Sequence, residues 1–538
     1  MKRMITENAL KSTGLILSML LCPILSKGQT YTGVQNITTA ESYGVPAVIN
    51  AGATVTITSS GSLTCTDLDF SGGNGTLTVE SGGSLTVNGQ LLSNGSATLT
   101  IEDGGSFVTT NTDFSAGSFV SNIVIEKSAS TTGYSYMTIP ITAENYTGYE
   151  YYFSESSSSN NYGAWVNSTN GSPKTAGIGY AIYQQGDVTF TGTPNNTTVS
   201  LSLSLTNQAG RGTDAGQHII GNPFPAAIDM DQFFTGDNLD NTYASYYVYN
   251  ADKAPSGGYD TYTAAGGDFM ASGQAFFIQL DYSSLADGNH TIEFEPSIMV
   301  DDNNTTFYRK ADYNFAEVVL NFTTGNDISN KLTFRFEEGL TAGFDKRFDA
   351  YSLGFEEEGS LRVKSLFNDK NFDILALPLE NVNIPITMKT SAAGDVNVEV
   401  VDMKRIPEGY TVSLLNKSNG QVTTLENGTA LSGSFEKLEY GIGFELRFHN
   451  SSSVLSSPVL TNGIKAHYAE SQLRVKLDHE DEVLKSVSIY SLHGQLLKEW
   501  NHLPAESVFS ETLTASAGLY LIKVESSKST YSQKVIIK

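Results

Sequence analysis

Three stretches decide the fold: Thr54-Val55-Thr56-Ile57-Thr58-Ser59-Ser60-Gly61-Ser62-Leu63-Thr64-Cys65, Thr76-Leu77-Thr78-Val79-Glu80-Ser81-Gly82-Gly83-Ser84-Leu85-Thr86-Val87 and Thr98-Leu99-Thr100-Ile101-Glu102-Asp103-Gly104-Gly105-Ser106-Phe107-Val108-Thr109. Each begins 22 residues after the last. Apolar and small polar residues alternate within each copy, the pattern of a strand with one buried face. A fixed period with no helical spacing predicts a solenoid with one coil per repeat. Val55, Leu77 and Leu99 then stack in one inner column, Ile57, Val79 and Ile101 in a second, and Leu63, Leu85 and Phe107 in a third. Gly61, Gly83 and Gly105 fall at the corners between short strands, where a residue without a Cβ is useful. Phe70, Leu92 and Phe114 align between the copies. Cys65 shares its column with Val87 and Thr109, which predicts an inward, inert thiol.

The pattern resembles a right-handed parallel β-helix of the kind seen in bacterial surface proteins and polysaccharide lyases. Enzymes on that fold usually carry a longer stack and a cleft lined by several charged groups. Here the count is three coils, and the outward positions are mostly Thr and Ser. The resemblance therefore implies a structural or adhesive part.

Composition points the same way. The chain has 538 residues, 39% hydrophobic, with only 17% charged and 27 each of Tyr and Phe. That content supports cores, and it favours strands and tight turns over long amphipathic helices. Its length allows three or four domains. Lys and Arg number 32 against 57 Asp and Glu, a net charge of −25. Such a chain does not neutralise a phosphate backbone, so nucleic acid is excluded as a partner. Two cysteines and seven histidines leave little for a metal or thiol centre, and no cofactor motif is present.

The N-terminus reads as an address. Lys2 and Arg3 precede the apolar run Leu15–Leu25, eleven residues and too short to cross a bilayer as a helix. Ser26-Lys27-Gly28 then offers small residues for a cut before Gln29, giving a signal peptide over 1–28. Lipoprotein processing at Cys22 is the alternative, against which Met19-Leu20-Leu21 lacks a small residue. Removing the leader takes the charge from −25 to −28 and leaves Cys65 alone. No internal disulfide is then possible. No later segment reaches the length of a membrane-spanning helix.

Residues 29–125 hold the repeats, and 126–305 form a Tyr- and Gly-rich β module. Val199–Leu205 alternates as a half-exposed strand. Gly221-Asn222-Pro223-Phe224-Pro225 is a rigid turn, and Ile228–Phe234 fits one short helix. The pairing of Ile220-Gly221-Asn222-Pro223-Phe224-Pro225 with Gly273-Gln274-Ala275-Phe276-Phe277 resembles a module of large bacterial surface proteins exported by type IX secretion, and implies no established chemistry. Tyr243, Tyr246, Tyr247, Tyr249, Tyr259 and Tyr262 carry two readings. One is an aromatic face for sugar rings, since Tyr offers an apolar plate with a polar tip. The other is strand packing. His218 reads as a satisfied strand residue, with no nucleophile at a recognisable spacing.

Residues 306–452 alternate again over Ala316–Phe322, Lys331–Phe336, Val396–Val400, Tyr410–Leu415 and Phe444–Phe448, the spacing of a β-sandwich. Three carboxylate groups stand out: Asp301-Asp302, Asp345 with Asp349, and Glu356-Glu357-Glu358. None has the ligand spacing of a calcium loop, and each reads as solvated loop charge.

Residues 453–462 form a Ser-rich linker. From 463 to 538 the alternation predicts a small antiparallel β-sandwich of about seven strands. The features Val487-Ser488-Ile489-Tyr490 with Gly494-Gln495, Ala517-Gly518-Leu519-Tyr520-Leu521-Ile522-Lys523-Val524, and the terminal Lys534-Val535-Ile536-Ile537-Lys538 closely resemble the type A C-terminal sorting domain of type IX secretion cargo. That resemblance implies docking on an outer-membrane translocon through Val487, Ile489, Tyr490, Gly494, Gly518, Tyr520, Lys534 and Lys538. It also implies export to the medium or the cell surface. His493 and His502 fall in turns and receive no role.

The expectation is an all-β chain: a β-helix-like repeat, a Tyr/Gly-rich module, a sandwich and a sorting domain. Its passenger is read as non-enzymatic, binding a glycan or an extracellular protein. The alternative is a polysaccharide-active lyase or hydrolase with its centre in the β-helix or the middle module, against which no nucleophile, metal or carboxylate motif is visible.

Overall fold

The computed structural model describes residues 28–70, 72–93, 95–109, 123–131, 133–142, 150–156, 163–168, 174–183, 186–206, 215–251, 258–302, 304, 315–325, 329–353, 361–390, 392–450, 464–469, 472–477, 482–491, 496–501, 503–504, 506–515, 518–528 and 530–537. The chain divides into two compact units, 1–449 and 450–538. The signal-peptide reading, Glu356–Glu358 and the Ser-rich linker lie outside the described residues.

The first unit begins with the solenoid. Thr54 pairs with Thr76, Thr76 with Thr98, Val55 with Leu77 and Leu77 with Leu99, all in parallel register. Leu63, Leu85 and Phe107 align in the same way on a second sheet. The three predicted inner columns are buried throughout, and so is Cys65. Burial pushes that thiol up to about 11, so it stays protonated and unreactive. Outside the columns, threonines stack on threonines along the first of these sheets.

The solenoid is one coil longer than the three-coil expectation. Gln29–Tyr31, Val34–Ile37 and Ala40–Ser42 add a strand to each of its three sheets. Their offsets from the next coil are 18, 20 and 22 residues, so a search at one fixed period passes over them. This coil also breaks the apolar pattern, because Glu41 stands in register with Leu63. The hydroxyls of Tyr31 and Tyr43 donate to its carboxylate at 2.7 and 3.0 Å, so a hydrogen-bonded acid occupies the end of an apolar column. The alignment between the copies also shifts by one: Leu91, not Leu92, lies beside Leu68, and Ser93 lies beside Phe70. Phe114 lies outside the described residues.

At the other end, Ile123–Lys127 continues the stack in parallel, and Val188–Thr191 closes it antiparallel. Closure by an antiparallel strand ends the run of unpaired parallel edges. The Pro225 carbonyl accepts from the Phe107 amide at 3.0 Å, tying the rigid turn to the last coil.

That turn is held from within. Asn222 is fully buried; its amide donates to the carbonyls of Ala226 and Met270, and its oxygen accepts from the Phe224 amide. Ile220 pairs with Phe276 and Gly221 with Ala275, so the two halves of the sequence motif are neighbours on one sheet. A Cβ on Gly221 would lie 2.8 Å from both the Gln274 carbonyl and the Thr138 methyl, which explains the glycine. The short helix forms over Met230–Phe233, with the Asp229 carboxylate capping its first amides.

From 316 to 450 one eleven-stranded sheet carries the remaining core of the first unit. Its neighbours are antiparallel except Ser329–Phe336 with Lys370–Leu377, which run parallel. Phe336 stacks on Phe448 at 3.8 Å, and Phe322 meets Phe444 at 5.9 Å, although these strands are not sheet neighbours. The sheet therefore folds over its own apolar face, as a sandwich does. Pro385 lies inside the strand Val382–Lys389, where pairing with Arg362–Phe367 extends only over 386–389. It removes no ladder donor on that side.

The middle module and this sandwich share polar contacts. The Tyr247 hydroxyl donates to the Tyr351 carbonyl at 2.6 Å, and Thr261 donates to Asp373 at 2.7 Å. Arg335 bridges Glu317 and Thr263, and Lys346 pairs with Asp281 at 2.8 Å.

The second unit contains seven described strands in two sheets. Ile464–Ala469, Gln472–Leu477 and Val508–Thr512 form one. Leu496–Asn501, Leu484–Ser491, Gly518–Ser526 and Thr530–Ile537 form the other. Leu473, Val475, Val487, Ile489, Ile522 and Val524 fill the core.

Candidate functional site

The six tyrosines do not form one face. In the hairpin of Thr242–Asn250 with Gly258–Thr263, Tyr246 opposes Tyr262 and Tyr249 opposes Tyr259. Strand alternation sends Tyr246 and Tyr262 to one side and Tyr247, Tyr249 and Tyr259 to the other. Tyr243 lies within the register shift between Thr242 and Tyr246, where Ala244 takes φ +52°. Tyr243, Tyr246 and Tyr247 are buried, so they serve packing. Tyr246 donates to Asp268 at 2.9 Å, and Tyr243 packs edge-on to Tyr282, Phe344 and Tyr351. Burial raises the phenols of Tyr243 and Tyr247, which therefore stay neutral.

Tyr249, Tyr259 and Tyr262 are half-buried, and Tyr249 and Tyr262 line a cleft of about 430 Å³. Its walls include Tyr134, Tyr136, Tyr249, Asn250, Asp260 and Tyr262. Tyr136 stacks on Tyr249 at 4.6 Å, and its hydroxyl shares a 2.8 Å hydrogen bond with that of Tyr259. Behind them Trp165, Phe153 and Phe277 meet edge to face, which fixes the ring angles. The Asn250 amide donates to the Asp260 carboxylate at 2.9 Å. Aromatic plates flanking an amide–carboxylate pair can stack a pyranose face and hydrogen-bond its hydroxyls. Sequence reading missed Tyr134, Tyr136, Trp165, Asn250 and Asp260. The alternation Tyr134-Ser135-Tyr136 was available, but it lies over one hundred residues from the hairpin it joins.

His218 is buried, and its Nε2 donates to the Ser204 carbonyl at 2.7 Å. Desolvation lowers its pKa, so it is a neutral strand residue. Asp345 and Asp349 form a local turn: Asp349 accepts amides from Asp345 and Ala376 at 2.7 and 2.6 Å, and Asp345 accepts from Thr341. Asp349 is thus a buried turn acid, not the solvated loop charge expected; Asp301 and Asp302 are exposed. Among the described residues no three His, Cys, Asp or Glu side chains converge as a metal site.

In the second unit Val487 and Ile489 are wholly buried, so these motif residues build the core. Tyr520 is half-buried against it. Gly518 pairs with Ile537, and Lys534 with Leu521. Gly494 and Lys538 lie outside the described residues. Tyr490 pairs with Leu521 on one side and Leu496 on the other, which sets three side chains in a row on the outward face. Leu496 is 47% and Leu521 36% exposed. Neighbouring outward positions are polar, with Lys523 bridging Glu525 at 3.0 Å.

No helix among the described residues is long and apolar enough to cross a membrane. No curated protein matches the chain. One solved structure, described as "Biofilm associated protein - BSP domain", matches at 10% identity over 66% of this chain and 72% of that one. Its TM-score of 0.12 is too low to bear on fold or function. A model described as a secretion system C-terminal sorting domain matches residues 469–538, which makes the chain a type IX secretion cargo. A second model, the domain of unknown function DUF8693, matches 29–429 without a break across solenoid, aromatic module and most of the sandwich. By that match over most of its length, the chain belongs to the DUF8693 family, with a C-terminal sorting domain appended.

Proposed function

We propose that this is a secreted or outer-membrane-associated protein whose passenger binds glycans without turning them over. The aromatic cleft carries the reading: half-buried tyrosines flank one amide–carboxylate pair in a space of sugar-binding size. Asp260 is the one carboxylate among its described lining residues, whereas ordinary glycoside hydrolysis uses two across the scissile bond. That favours a binder over the polysaccharide-active alternative. For export, the row Leu496–Tyr490–Leu521 supplies an apolar grip for the type IX translocon.

A glycan array followed by titration calorimetry tests the cleft. Tyr249→Ala combined with Asn250→Ala is expected to weaken the best ligand at least tenfold, about 1.4 kcal/mol, with the fold retained. Unchanged affinity, or release of reducing ends from any array member, contradicts the reading.

A further inference from the structure

Also in the aromatic module, a lysine and a glutamate meet in a small, mostly apolar pocket. Glu150 opens the strand Glu150–Ser154, and Lys174 lies against it; their side chains are 0% and 2% exposed. Met137, Ile139, Ile182, Val188 and Phe190 supply apolar walls. The remaining void, about 20 Å³, holds roughly one water. Lys174 Nζ contacts Glu150 Oε1 directly and donates to Ser168 Oγ at 2.8 Å. Ser168 is fixed in turn, because its amide donates to the Glu150 carbonyl at 2.9 Å. Neither Glu150 oxygen accepts a well-directed hydrogen bond among the described residues.

An ion pair in this setting is poorly compensated. Both charges are removed from bulk water, and beyond Lys174 the carboxylate has the Ser168 hydroxyl beside it. Desolvation raises the Glu150 pKa, against the pull of Lys174 and a Ser168 hydrogen bond, and so favours the protonated acid. The geometry sets the Lys174 nitrogen in direct contact with that carboxyl group. Held in place, such a pair reacts at a very high effective concentration.

We propose that Lys174 and Glu150 become joined by an isopeptide bond, a covalent clasp across the aromatic module. The amine lone pair attacks the carboxyl carbon, and the N–C bond forms. The C–OH bond breaks, and the hydroxyl leaves with a proton from nitrogen as one water. Ser168 Oγ, already bonded to Nζ, relays that proton. Ammonium plus carboxylate thus give amide plus water, with no oxidant or reductant required. The clasp closes residues 150–174 into a ring. It would suit an exported module that cannot form a disulfide, the free Cys65 being in the solenoid.

Mass spectrometry of a tryptic digest of the purified, folded, full-length mature protein tests this. The expected result is one uncut peptide spanning residues 128–211 that carries an internal ring, lighter than the linear 128–211 peptide by one water, with no cleavage after Lys174. Lys174→Arg should abolish this ringed species. Quantitative recovery of two linear peptides, with normal cleavage after Lys174, overturns the proposal from the wild-type protein alone.

Discussion

Leu85 sits in the third inner column between Leu63 and Phe107, fully enclosed by the coils on either side. A carboxylate there has no donor and no route to water. Leu85→Asp is therefore expected to cost several kcal/mol and lower the melting temperature of the first unit, measured by calorimetry. An unchanged transition would contradict stacked coils. Asp349 makes a different residue-scale prediction. Burial pushes its carboxyl up to about 7, although amides of Ala376 and Asp345 oppose the shift. A carboxyl raised on folding contributes stability that is full below its unfolded pKa near 4 and is lost as pH rises through about 7. Buried Asp373 is shifted in the same direction. Buried neutral His218 acts in the opposite sense over this range, so the contribution of Asp349 is read by difference. Relative to the wild type, Asp349→Asn should lower the melting temperature of the first unit more at pH 5 than at pH 8.5, measured by calorimetry.

At the scale of elements, legibility depended on whether the pattern was local. The repeat between 54 and 109 showed its strands, columns and inward faces, since each coil contacts its neighbours at a constant offset. The first coil escaped because its loops shorten the offset to 18 and 20 residues on two sheets and Glu41 replaces an apolar residue. The tyrosine hairpin was legible as strands but not as a site. Alternation divides its rings between two faces, and the partners that make the cleft come from Tyr134 and Tyr136. The sorting unit was readable strand by strand, yet its motif residues Val487 and Ile489 are core. The outward row Leu496–Tyr490–Leu521 depends on cross-strand register, which no single segment displays. Leu521→Asp alters that row without entering the core. It should reduce the exported fraction severalfold while near-UV circular dichroism stays native. Undiminished export would move the docking surface elsewhere.

At the scale of the molecule, the first unit joins three kinds of β architecture through named contacts. Phe107 and Pro225 link solenoid to module; Tyr247, Arg335 and Lys346 link module to sandwich. The family match spans the same run, whereas the sorting domain matches separately at 469–538. The export signal thus lies in a part of the chain separate from the family domain. The most direct test is the fate of a protein lacking residues 463–538, followed by fractionation of expressing cells. A folded passenger retained in the periplasm is the predicted result; passenger reaching the medium or the cell surface at the normal level would contradict it.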